Sequence, residues 1–260
     1  ANVTNSGIVS GDFRGIRVTI ANVTNSGTIQ ATGAAGAGIF ATTSATVTNS
    51  GTISGADQGI WSLGTATVRN SGIIQGTAAG GFGISADSVD VTNSGGISGS
   101  AGGINSTTTA KVINSGTIQG TAAGSFGIRA DSIDLTNSGL ISGSDQGITV
   151  TTTATVNNSG TIQATAAGGF GLVAAVANVT NSGTISGGSR GISATTANVT
   201  NSGLISGGDR GIRATTVNVI NSGTIRATAA GGAGIFAATS ATVTNSGTIS
   251  GADQGIWSLG

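Results

Sequence analysis

The tripeptide Asn-Ser-Gly occurs twelve times in this chain, and that recurrence limits its fold more than any other feature. The asparagines are Asn5, Asn25, Asn49, Asn70, Asn93, Asn114, Asn137, Asn158, Asn181, Asn201, Asn221 and Asn245, spaced 20 to 24 residues apart. A period of this size marks a repeat architecture, in which each unit buries its apolar side only against its neighbours. Three more positions keep step with each Asn. Two residues before it stands Val, replaced once by Leu135. Four residues after it stands Ile, replaced once by Val9. Further on, a Gly precedes Ile16, Ile39, Ile60 and their counterparts to Ile256, with Leu172 the one exception. All 36 of these positions are aliphatic and 34 are β-branched.

β-Branched residues favour strands. Each is flanked by Thr, Ser, Asn or Gly, which gives the period-2 alternation of a strand. A unit therefore reads as three short strands with Gly-rich corners between them. The predicted fold is all-β: a right-handed three-sided parallel β-helix (β-solenoid) of about 12 turns of 20–24 residues, with residues 1–260 as a single repeat domain. Right-handed winding follows from the general preference for right-handed crossovers. Stacked at about 4.8 Å per turn, the rod would be roughly 55 Å long.

The turns come in two lengths. In seven, the Ile after Gly lies 11 residues beyond the Asn, and in five it lies 14 beyond. The additional residues are small, as in Gln75-Gly-Thr-Ala-Ala-Gly-Gly-Phe-Gly-Ile84, and predict a bulged corner. A longer period is superimposed. Residues 21–64 match 217–260 at 38 of 44 positions, and residues 1–20 match 197–216 at 14 of 20. This 196-residue super-repeat, without a polar capping turn, leads us to expect a window of a longer repetitive protein or one unit of an end-to-end stack. Bare solenoid ends are otherwise aggregation-prone edges.

Composition removes whole classes of function. Nine basic and nine acidic residues cancel, so the basic footprint of a nucleic-acid binder is missing. Without Cys or His there is no disulfide framework and no His- or Cys-ligated metal. No apolar run is long enough for membrane insertion as a helix. Neither the dinucleotide fingerprint nor a Walker Lys occurs.

The Asn-Ser-Gly corner predicts an inward Asn stack, each amide bonded to the next, with Gly supplying an unusual backbone angle. The residue after each Gly-Ile pair should point outward. At this position Phe40 and Trp61 fall on adjacent turns, as do Phe236 and Trp257, which makes them candidate contact residues. Phe82, Phe126 and Phe170 fall in long corners, where each ring should fold over its inserted loop. The Asp residues are scattered, mostly one per corner. No cofactor, metal or catalytic constellation is expected, since a polysaccharide-cleaving site needs carboxylates converging on one groove. The outward Thr series is broken by Arg69, Ile113 and Ile220, which weakens an ice-binding reading.

The string Val-Thr-Asn-Ser-Gly-Thr-Ile-Ser-Gly at Val47–Gly55 and Val243–Gly251, with variants in every turn, resembles repeats in large surface proteins of Gram-negative bacteria. These are the β-helical passengers of autotransporters and related filamentous adhesins. The resemblance covers the whole chain. It implies secretion, and a location outside the cell or on the bacterial cell surface. The lack of Cys suits passage of an unfolded chain through an outer-membrane pore. The expected role is the structural or adhesive shaft of a surface fibre. The expected partners are copies of itself, end-to-end or lateral, and a host or surface ligand. The rival expectations are a carbohydrate-active β-helix enzyme and an ice- or surface-binding solenoid.

Overall fold

A computed structural model describes all of residues 1–260. It consists of strands joined by turns and bends and has no helix. Each coil gives one short strand, such as Thr52–Gly55 or Thr117–Gly120, to a 12-stranded sheet. The other two segments of every coil share one 18-stranded sheet. In mid-chain they are separate strands, for example Phe126–Ala130 and Ser132–Asn137. Towards both ends they run on as single strands of 12 or 13 residues, such as Arg14–Asn25, Ala37–Asn49 and Arg190–Asn201. All the pairings along the stack are parallel, as in Val47 with Val68 and Ile53 with Ile74. The chain is a parallel β-solenoid.

The two segments part at Leu63–Gly64, Thr107–Thr108 and Thr151–Thr152, and in two coils at a single Asp. Asp87 and Asp131 are those two, and hydroxyls of the next coil bind to them. The Asp87 carbonyl accepts from Ser106 Oγ at 2.9 Å and Thr108 Oγ1 at 2.7 Å, and its carboxylate accepts from Thr107 Oγ1 at 3.0 Å. Thr151 and Thr152 bond to Asp131 in the same way.

Register turns the locked positions into columns. Ile60, Ile84, Ile104 and Ile128 are successive partners, as are Val68, Val91, Val112 and Leu135. Ile74, Ile97, Ile118 and Ile141 form the third column, in the other sheet. These side chains are buried and make one continuous core. Only in the end coils is this cover lost, as at Ile256, which is 45% exposed. Two further columns complete the core. One lies two residues before Val: Ala45, Ala66, Val89, Ala110 and Ile133, all buried. The other lies two residues after Ile: Ala41, Ser62, Ala86, Ser106 and Ala130, also buried.

The glycine after Asn-Ser is needed for a different reason from the one expected. Positive φ occurs only at Gly80, Gly124 and Gly231, all in long corners. There Gly80 (φ +83°) completes a turn closed by Gly81 N donating to the Ala78 carbonyl at 3.0 Å, the geometry of a type II turn. In the Asn-Ser-Gly corners the requirement is close approach. A Cβ at Gly27 or Gly51 would run into the carbonyl oxygen of Gly7 or Gly27 in the coil before it.

Candidate functional site

The twelve asparagines form a ladder through the interior. Asn5 Nδ2 donates to Asn25 Oδ1 at 2.8 Å, and the same bond repeats coil after coil to Asn221 and Asn245 at 2.7 Å. Every link donates towards the next coil, so the amide dipoles add along the stack. The second proton of each amide is satisfied by backbone. Asn49 Nδ2 also contacts the carbonyls of Gly51 at 3.0 Å and Ile73 at 3.2 Å. All but the last Asn are buried. Buried amides without partners would cost about 1–3 kcal/mol each. Here every one is bonded to its neighbours and to backbone carbonyls, so the ladder holds the corner together.

The surface of the Gly-Ile strands is chemically unlike the rest of the molecule. Five of the six Phe, both Trp and six of the eight Arg lie in these strands, and no Asp does. Phe40 and Trp61 are register partners with ring centroids 4.8 Å apart. Phe236 and Trp257 repeat the pair at 5.0 Å. Phe40 is more covered than an outward position predicts, at 8% exposure. Guanidinium groups lie beside the pair: Arg14 is 5.1 Å from the Phe40 ring and 5.3 Å from Trp61, and Arg17 is 6.0 Å from Phe40. At the second pair Arg210 lies 5.5 Å from Phe236 and 5.4 Å from Trp257, and Arg213 lies 5.7 Å from Phe236. Such stacking is favourable.

Phe82, Phe126 and Phe170 belong to this same surface. The sequence hid this, because they stand two residues before the locked Ile or Leu, whereas Phe40 and Trp61 stand one after it. Register aligns Phe82, Gly102 and Phe126 in successive coils. The Phe126 ring covers Gly102, where a Cβ would strike it, and stacks on Phe82 with centroids 5.9 Å apart. Phe82 and Phe126 therefore pack on one another across a glycine, instead of each folding over its own loop, while Phe170 has Gln146 and Arg190 as its register partners. Arg129 lies 4.1 Å from the Phe126 ring, and burial lowers its pKa from the ordinary arginine value. Arg190 lies 5.1 Å from Phe170. Its pKa is lowered too, by burial first, then by the charge of Arg213, with Asp209 opposing and Arg210 adding to the effect.

The carboxylates do not gather. No group of three or more converges to hold a metal ion. Asp87, Asp131 and Asp209 accept from hydroxyls of Thr107, Thr151 and Ser189. The largest concavity lies away from the aromatic pairs. It is an open trough of about 760 Å³ over the Val-Asn strands, lined by residues such as Thr155, Asn178, Thr180, Asn198 and Asn218. A surface amide ladder runs along it, from Asn218 to Asn198 at 2.9 Å and from Asn198 to Asn178 at 2.8 Å. Ile113 and Ile220 stand exposed within the Thr rows, in register with Thr92 and Thr200.

No family model, curated protein or solved structure matches the chain. The fold places it in the class of parallel β-solenoids.

Proposed function

We propose that this chain is the structural and adhesive shaft of an extracellular bacterial surface fibre, a right-handed three-sided solenoid that acts by shape and contact, without catalysis. The observation that carries this reading is the unbroken regularity of the interior. Three aliphatic columns and one amide ladder run the length of the chain, with the same partners in every coil. Such an interior gives length and stiffness and repeats external contact points at fixed spacing. The dispersed carboxylates, each bonded to a corner hydroxyl where a bond is formed, favour this reading over a polysaccharide-cleaving enzyme. The exposed Ile113 and Ile220 disfavour an ice-binding plane. The aromatic pairs Phe40/Trp61 and Phe236/Trp257 are the contact points, with lateral and end-to-end association of copies as the other expected contacts.

Electron microscopy of natively isolated material, with the mass of the denatured chain, tests the shaft. Continuous rods far longer than about 55 Å (twelve coils at roughly 4.8 Å) are expected. Isolated particles of about that length would count against a fibre.

A further inference from the structure

We infer that the Gly-Ile surface is a binding track for an acidic polysaccharide, with its two strongest subsites at Arg14/Arg17/Phe40/Trp61 and Arg210/Arg213/Phe236/Trp257. This assignment rests on the reading of the aromatic pairs as contact points, and not on the length of the fibre. Three observations support it.

The first is the combination of groups. Each subsite offers two guanidiniums and an aromatic pair. Arg14 Nη1 is fixed by the carbonyls of Phe13 at 2.6 Å and Ala35 at 2.8 Å. Arg210 Nη1 is fixed by those of Asp209 at 2.7 Å and Gly231 at 3.1 Å. Carbonyls orient the guanidinium and leave its charge in place. A fixed guanidinium suits a planar carboxylate, and an indole suits the C–H face of a pyranose ring.

The second is shape. Phe13, Arg14, Arg17, Phe40 and Trp61 enclose an open hollow of about 290 Å³. That is the lower end of the range for small-molecule sites, so it suits one sugar unit of a longer chain.

The third is spacing. The two subsites are separated by the 196-residue period, which is nine coils or about 43 Å. One extended polymer can therefore engage both, and the linked contacts reinforce each other.

The test is binding of the chain to polygalacturonate, to its fully methyl-esterified form and to polyglutamate at low salt. Polygalacturonate is expected to bind at least tenfold more tightly than either control, since the ester keeps the ring without the charge and polyglutamate keeps the charge without the ring. Trp61→Ala with Trp257→Ala, and Arg17→Ala with Arg213→Ala, should each weaken binding about tenfold or more. Circular dichroism checks that the strands persist, and these substitutions leave the interior columns intact. Equal binding of polyglutamate, equal binding of the ester, binding of none of the three, or unchanged binding by folded variants would overturn the assignment. So would variants that lose rod–rod association while still binding polygalacturonate normally, which would make the surface an interface between copies.

Discussion

Asn49 donates through Nδ2 to Oδ1 of Asn70 at 2.8 Å, and Asn70 makes the same bond to Asn93. The two residues are 21 apart in sequence, but the bond makes their coils a single unit. The amide accepts from the coil before through Oδ1 while donating to the coil after through Nδ2. An ionised Asp in its place, an acceptor only, would break the relay.

Asn137 tests the relay in mid-stack, where it accepts from Asn114 and donates to Asn158, both at 2.8 Å. Asn137→Ala should destabilise the fold by about 1–3 kcal/mol for each buried group left unpaired. Asn137→Asp should cost more, because it sets a buried carboxylate against the Oδ1 of Asn158. Urea unfolding measures both, and a neutral Asn137→Asp would show that the ladder is not needed.

The second prediction concerns Gly102 and Phe126. Gly102→Ala should displace the Phe126 ring, since the new methyl would occupy the space the ring fills. Phe126→Ala alone removes the buried ring and should cost about 3–5 kcal/mol. Because the two share one space, the double variant should be less destabilised than the sum of the two, with a coupling of roughly 0.5–3 kcal/mol. A double-mutant cycle that sums without coupling contradicts the packing.

Glycines in different corners should fail in different ways. At Gly59 a Cβ would sit 2.7 Å from the Gly83 carbonyl oxygen and 2.7 Å from Ile74 Cγ2. At Gly80 a Cβ meets open space, but φ is +83°. Gly80→Ala is therefore expected to cost only about 1–2 kcal/mol of backbone strain. Gly59→Ala must push two coils apart and should reduce the unfolding midpoint much further.

The central Ile column should behave as an ordinary core despite the repeat. Ile118 is fully buried, and Ile118→Ala should cost about 2–5 kcal/mol. Since each coil contacts only its neighbours, hydrogen exchange should quicken most in the coils carrying Ile97 and Ile141, its partners.

The parts of the fold legible from the sequence were those with unusual chemistry at a fixed offset from Asn. Val68, Ile74 and Ile84 announce themselves because large β-branched residues recur there. The column through Ala66 and Ala110 is as deeply buried, but alanine is so common in this chain that its recurrence carries little signal. The gathering of two strand segments into one sheet was not legible either, since the locked offsets do not show that strands such as Arg190–Asn201 run unbroken through the bend. The contact surface was half visible. Phe40 and Trp61 share an offset, whereas Phe82, Phe126 and Arg14 stand two residues before the locked Ile, and only the folded strands show that the two offsets share one surface. Without that shared surface, Arg14 and Arg17 read as isolated charges instead of as neighbours of an aromatic pair.

The register itself is the central claim, and paired cysteines test it most directly because the chain contains none of its own. Thr24 and Thr48 are exposed register partners, across a coil with the longer corner. Partners on adjacent strands are about 4.8 Å apart, within the range a disulfide can span. Thr24→Cys with Thr48→Cys should crosslink rapidly on mild oxidation. Thr24→Cys with Thr46→Cys, two residues out of step, should not. Preferential crosslinking of the out-of-step pair would mean that the inserted residues shift the strands, and the stacked columns would be wrong.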